Sequence, residues 1–318
     1  MDTTTLPLSK SRISWVDGAR VIAILLVLQN HTTCSYILNQ DSVAGAVAVF
    51  FLMSGYFTKS NTLLDSIKRV CRLIPFYVLW CLYSFVIENH GFDFDYGSFF
   101  HAILHRGCGA MWFILFLIYF TFIGYVANKL PYLLRGIAIA ILFAYGTWKY
   151  SMGGYAHPCM NFSFALSIFL LGQLGNIYSL QKWQSILFPS NNATCILLPS
   201  LSFASILIMS ALDITLIPSC LLLLLSMWSI LCLSYAIVQQ FPQTKTSMAQ
   251  MGEAVVFIYA FHMPTLRAMT SFHLQLTDTM PHCVTSLFFI VILFFLGVFT
   301  FHFLKGRQRI LDALLFAR

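Results

Sequence analysis

The protein has 318 residues, of which 59% are hydrophobic and only 9% are charged. A water-soluble fold of this length cannot bury so much apolar surface, so the composition excludes an ordinary soluble enzyme. The mean hydropathy of +0.80 extends along nearly the whole chain, which indicates an integral membrane protein without a separate soluble catalytic domain. The net charge of +7 does not indicate nucleic-acid binding, because the basic residues are scattered between hydrophobic segments.

Apolar segments long enough to cross a hydrocarbon layer about 30 Å thick follow one another along the chain. We expect an all-α fold, a polytopic bundle of about ten transmembrane helices that forms a single domain over residues 1–318. Two short segments and the narrow gap around Asp213 leave a count of nine or eleven open. The predicted spans are residues 15–37, 43–58, 73–90, 111–128, 133–150, 163–179, 194–212, 216–240, 252–271 and 284–304.

The distribution of Lys and Arg predicts how these spans are oriented. With a cytoplasmic N-terminus and ten spans, all of the 18 basic residues except Arg106, Lys149 and Arg267 fall on the inner side. Cytoplasmic loops carry the excess of basic residues, so we place both termini in the cytoplasm. The longest outer loop, residues 88–110, mixes aromatic, acidic and histidine residues.

The first predicted span carries three ionisable residues, Asp17, Arg20 and His31. Such residues are costly in lipid unless they face protein or water. Arg20 and His31 are eleven positions apart, about three helical turns, so both side chains lie on nearly the same face, roughly 16 Å apart. One interpretation is a polar stripe that binds an elongated anionic cofactor and ends at a general base. The other is an interfacial ion pair and a hydrogen-bonded core histidine.

Two further basic residues, Arg69 and Arg72, lie three residues apart at the predicted cytoplasmic edge of the third span. Guanidinium groups in such an arrangement suit phosphate binding. An anchor that follows the positive-inside rule explains them as simply.

The ninth span contains His262, with Tyr259 three residues before it and Pro264 two residues after it. The proline is expected to kink the helix close to the imidazole. These residues are interpreted either as the wall of a cavity or as ordinary core residues of a helix bundle.

Several other catalytic signatures are missing from the chain. It has no phosphate-binding loop, no dinucleotide-binding glycine motif, no serine-hydrolase elbow and no His-Glu-x-x-His motif. The nine cysteines never form Cys-x-x-Cys, and His101 and His105 have no acidic partner in the sequence. We therefore expect no metal site and no disulfide framework.

Five short motifs occur in a fixed order along the chain, and together they resemble the membrane-bound acyltransferase-3 family. The resemblance covers most of the sequence and is closest to the stand-alone type that O-acetylates bacterial surface polysaccharides. The first motif is an Arg, ten residues and a His, which are Arg20 and His31 here. The second is Phe50-Phe51-Leu-Met-Ser54-Gly55-Tyr56, and the third is Arg69 and Arg72 followed by Pro75. The fourth is Met-Trp112-Phe113, and the fifth is Ile258-Tyr259-Ala-Phe-His262.

The resemblance implies an O-acyltransferase of the bacterial cytoplasmic (inner) membrane. Its donor would be acetyl-CoA or another acyl-CoA entering from the cytoplasm, and its acceptor a hydroxyl of a cell-surface glycan or a lipid-linked sugar. The catalytic candidates are His31 as general base, Arg20 and the adjacent Asp17. The candidates for donor binding and for lining the same cavity are Arg69, Arg72, Tyr259 and His262.

Two alternatives to an enzyme stay open at this point. A transporter would use the buried Arg20 and His31 as a substrate or proton pathway, although the paired interrupted helices and inverted repeats typical of transporters are not evident. An inactive sensor or scaffold would keep the fold without the chemistry. The sequence also shows no carboxylate near His31 to orient its ring.

Overall fold

The computed structural model describes residues 13–32, 40–58, 62–89, 95–155, 157–176, 219–269 and 281–305, together with Gly91 and a few isolated positions between 185 and 204. Every regular element in these ranges is helical. The α-helices are α1 Ser14–His31, α2 Gln40–Tyr56, α3 Leu63–Glu88, α4 Tyr96–His105, α5 Trp112–Ala127, α6 Tyr132–Ser151, α7 Phe162–Gly175, α8 Ser219–Gln240, α9 Thr244–Ala268 and α10 His282–Leu304. Two short 3-10 turns, Gly109–Met111 and Pro158–Met160, precede α5 and α7.

The all-α fold predicted from the sequence is confirmed. Within the described ranges, four helical stretches are long and apolar enough to cross a membrane: Leu63–Glu88, Tyr96–Ala127, Ser219–Gln240 and Val284–Leu304. The protein is therefore a membrane protein. The predicted span 194–212 lies largely outside the described residues, and the predicted outer loop 88–110 contains the amphipathic helix α4.

Capping side chains fix where α4 and α7 begin. The Asp95 carboxylate accepts hydrogen bonds from the backbone N–H groups of Gly97 and Ser98 at the start of α4. The hydrogen bonds lower the pKa of Asp95, because they stabilise its charged form. Asn161 caps α7 in the same way, accepting from the N–H groups of Ser163 and Phe164 at 3.0 and 3.2 Å. These bonds satisfy amides that have no partner within their helix.

Helix α1 lies at the centre of the bundle, where it contacts α2, α8, α9 and α10. The closest contacts between helices occur at small residues. Gly55 of α2 lies directly against the backbone carbonyl of Phe169 in α7, and Gly172 of α7 lies against that of Leu52. Such close packing of small residues is typical of helices that associate in a membrane.

Side-chain contacts show that α1, α3 and α9 run in the same direction. Asp17 and Gly252 meet near the beginnings of α1 and α9, and His31 and His262 meet toward their ends. Glu88 and Arg267 form an ion pair that joins the ends of α3 and α9. The bundle thus has an Arg20 end and a His31 end, and α1 connects them.

Candidate active site

At the Arg20 end, α1 holds a buried carboxylate beside a partly exposed guanidinium. Asp17 and Arg20 form an ion pair at 3.5 Å, with side-chain exposures of 4% and 31%. Arg20 also lies over the ring of Phe57, 5.8 Å from its centre. Gly252 of α9 packs on Asp17 so closely that an added Cβ would lie 2.6 Å from the Asp17 Cβ. Asp17 therefore holds Arg20 at the boundary between the bundle and its surroundings.

Arg69 of α3 is the second cation at this end. It is half-buried, and its guanidinium is close enough to that of Arg20 for the two positive charges to interact. Like charges held together in a partly buried place favour a bound anion, since the anion relieves their repulsion. Arg72, three residues further along α3, is exposed. The structure thus brings Arg20 and Arg69 together and leaves Arg72 at the surface.

At the other end of α1, the ring centres of His31 and His262 lie 5.1 Å apart. His262 is completely buried, whereas the His31 side chain is exposed. The Nδ1 atom of His262 lies 2.6 Å from the carbonyl oxygen of Tyr259. Because a carbonyl only accepts hydrogen bonds, Nδ1 must carry the proton, so Nε2 of His262 is left with a free lone pair. This Nε2 is buried and has no hydrogen-bond partner among the described residues.

Tyr259 supports this arrangement through its backbone and its ring. Its carbonyl orients His262, and its buried side chain packs against Phe113 and Phe50 at ring-centre distances of 5.1 and 6.3 Å. The aromatic cluster thereby fixes the part of α9 that carries His262.

The structure adds a third imidazole, which sequence reasoning missed. His157 directly precedes the 3-10 turn Pro158–Met160, and its ring centre lies 5.7 Å from that of Trp112. Burial and the nearby charge of His31 lower the pKa of His157 to about 4, so its ring is neutral at pH 7. The only signal in the sequence was a histidine beside Pro158, in a connection between two apolar segments.

The ion pair of Glu88 and Arg267 lies at the same end, and the positive charge of Arg267 reaches His31. These two residues were expected on the outer side, but nothing in the sequence paired them. Both side chains remain partly exposed.

Comparison with known families decides the class of protein. Residues 13–304, almost the whole chain, match the acyltransferase-3 family, described as an acyltransferase domain. The chain belongs to the acyltransferase-3 family. Comparisons with curated proteins and with solved structures gave no match.

Membership in the acyltransferase-3 family makes the protein a transferase that takes an acyl group from a donor to an acceptor. Its two ends supply different chemistry: the interacting guanidinium groups of Arg20 and Arg69 lie at one end, and the imidazoles lie at the other, beside the ion pair of Glu88 and Arg267. Within the described ranges, no group of three histidine, cysteine or acidic side chains is arranged to hold a metal ion.

Proposed function

We propose that this acyltransferase moves an acetyl group from acetyl-CoA to a hydroxyl of a cell-surface glycan or of its lipid-linked precursor. The observation that carries this assignment is the pairing on one helix of a guanidinium, Arg20, with an imidazole, His31, that meets a second imidazole across the helix interface. Membership in the acyltransferase-3 family favours transfer over transport.

The donor enters from the Arg20 end. Coenzyme A carries phosphates at one end and the thioester at the other, so it needs cations far from the reacting carbonyl. Arg20 and Arg69 hold the phosphates, and Arg72 attracts them at the surface. Arg20 and His31 are roughly 16 Å apart along α1, which suits a donor that lies lengthwise in the bundle.

His31 acts as the general base. It removes the proton from the acceptor hydroxyl while the oxygen attacks the thioester carbonyl carbon. The new C–O bond forms, the C–S bond breaks, and the leaving thiolate takes the proton from His31. The acceptor thereby becomes an acetyl ester and the donor becomes free coenzyme A, and no further reactant is needed.

His262 assists His31. The ring-centre separation of 5.1 Å matches about two ring radii plus one hydrogen bond, so a small rotation of the exposed His31 ring lets its N–H donate to Nε2 of His262. Nε2 has the lone pair for this bond because Tyr259 fixes the proton on Nδ1. This hydrogen bond would supply the orientation that a carboxylate gives in other enzymes.

The Arg20 end faces the cytoplasm and the His31 end the outer side of a bacterial cytoplasmic membrane. The positive-inside rule supports this orientation, because Lys68 and Lys245 lie near the starts of α3 and α9, and Lys305 pairs with Glu253 near Asp17, all at the Arg20 end. The chain then forms one multi-pass domain with both termini in the cytoplasm.

Purified protein in liposomes tests the assignment, with labelled acetyl-CoA as donor and a glycolipid extract from source cells lacking the protein as acceptor. The wild type should form base-labile labelled esters, and His31→Ala should lower the rate at least about a hundredfold. His101→Ala changes an exposed histidine of α4 and should not affect the rate. Full transfer by His31→Ala would refute the mechanism, and no transfer by the wild type would refute the function.

A further inference from the structure

We infer that His157 binds the acceptor sugar beside His31 and holds the reacting hydroxyl in place, an inference that rests on the proposed function. His157 is not part of α1 or α9, and it belongs neither to the sequence motifs nor to the groups proposed to move the proton. Three features of its surroundings point to this role.

The first feature is a buried ring nitrogen without a partner. Nδ1 of His157 is inaccessible to solvent and forms no hydrogen bond with any described residue. Burying such an atom without a partner costs free energy, which a bound hydroxyl would recover. The Nε2 atom of His262 is in the same situation. Two unpartnered imidazole nitrogens therefore lie near His31, one on α9 and one in the connection before α7.

The second feature is the rigid position of His157. Pro158 and Cys159, which follow it, are buried, and Asn161 is committed to capping α7. The 3-10 turn contacts both α2 and α7, and the ring of Trp112 packs against that of His157. The imidazole is thus held by fixed elements, as precise binding of a substrate requires.

The third feature is the charge of the ring. A neutral imidazole offers one N–H donor and one lone pair, which match a sugar hydroxyl that both donates and accepts. Arg20 and Arg69, the cations proposed to bind the phosphates of the donor, lie at the Arg20 end, and Arg267 at the His31 end is paired with Glu88. His157 therefore belongs to the acceptor side of the site and not to the donor side.

His157→Phe tests this role, because phenylalanine keeps the ring that packs on Trp112 but has no ring nitrogen. In the liposome assay, we expect the amount of glycolipid extract needed for half-maximal rate to rise roughly tenfold, as for a lost hydrogen bond. The KM for acetyl-CoA should not change. His157→Asn, whose amide replaces Nδ1, should recover part of the loss, and His105→Ala on exposed α4 serves as the control.

Thermal unfolding of the same variants separates binding from structure. With the unpartnered nitrogen removed, His157→Phe should unfold at the same or a higher temperature than the wild type in the absence of substrates. An unchanged dependence on the extract, or an equal rise in the KM for acetyl-CoA, would overturn the role of His157 while the wild-type activity stands. If the wild type itself transfers no label, the proposed function fails instead.

Discussion

The imidazoles of His31 and His262 face each other between α1 and α9, and the backbone carbonyl of Tyr259 fixes which nitrogen of His262 carries a proton. A backbone group thus sets the protonation of a side chain that the sequence motif presents only as a histidine. The two rings are expected to act as one unit.

Replacement of His262 by Phe tests whether they do. The single variant should lower acetyl transfer about ten- to a hundredfold, because His31 loses the lone pair that orients it. The double variant His31→Ala, His262→Phe should be no slower than His31→Ala alone, since groups that act together are not additive. Initial rates of label transfer in liposomes measure the loss of activity in each single variant and in the double variant. Losses that multiply would show that the two histidines act independently.

The cations of the Arg20 end are expected to differ in their effects on donor binding. Arg69→Gln should raise the KM for acetyl-CoA roughly tenfold or more, because a half-buried guanidinium forms stronger bonds to phosphate than an exposed one. Arg72→Gln should raise it less, and Lys68→Gln, at an exposed neighbouring position, should leave it unchanged. An unaltered KM in Arg69→Gln would exclude its contact with the donor.

Most helices of the bundle could be predicted from the sequence because lipid imposes a simple rule. A chain that crosses hydrocarbon needs long apolar segments, and α3, α8 and α10 are such segments. The same rule indicates Arg20 and His31 as candidate functional residues, since ionisable residues are costly in an apolar helix. Their functional roles stay predictions.

The partners of these residues could not be predicted, because they depend on how helices pack. His31 meets His262 only because α1 and α9 run parallel, and Gly252 lets them approach at Asp17. His157 lies in a connection between helices, and a histidine outside a membrane span is not unusual, so the sequence does not single it out. The pairing of Glu88 with Arg267 likewise joins residues far apart in the chain.

The contact of Gly252 with Asp17 predicts a substitution that the sequence would not flag. In Gly252→Ala the new methyl group would lie 2.6 Å from the Asp17 Cβ, an atom that cannot move without moving α1. We expect a loss of about 1–3 kcal/mol in the free energy of unfolding, together with slower transfer. Thermal unfolding in detergent measures the first effect.

Gly136→Ala is the matched control for that substitution. Gly136 lies in α6, and an added Cβ there would meet no atom within 4 Å. Alanine should therefore be neutral or stabilising by about 0.5–1 kcal/mol, as expected for glycine in a helix interior. Equal effects of the two substitutions would show that α1 and α9 can separate at Gly252 without cost.

The neutral His157 predicts how stability depends on pH. Its pKa is about 4 in the folded protein and near 6.5 in the unfolded chain. Between these values the unfolded chain binds more protons, so the free energy of unfolding should fall as the pH drops from 6.5 to 4. Above pH 6.5 this residue should contribute no pH dependence.

His157→Phe tests this contribution, because every other titrating group, including the helix cap Asp95, is present in both proteins. Unfolding temperatures of the wild type and the variant, measured in detergent from pH 7.5 to 4.5, should diverge as the pH falls, with the variant retaining more of its stability. Curves that stay parallel would mean that His157 gains its proton at the same pH in the folded and the unfolded protein, near pH 6.5. A protonated ring would donate from both nitrogens, and it would then favour an anionic group over the hydroxyl assigned to it.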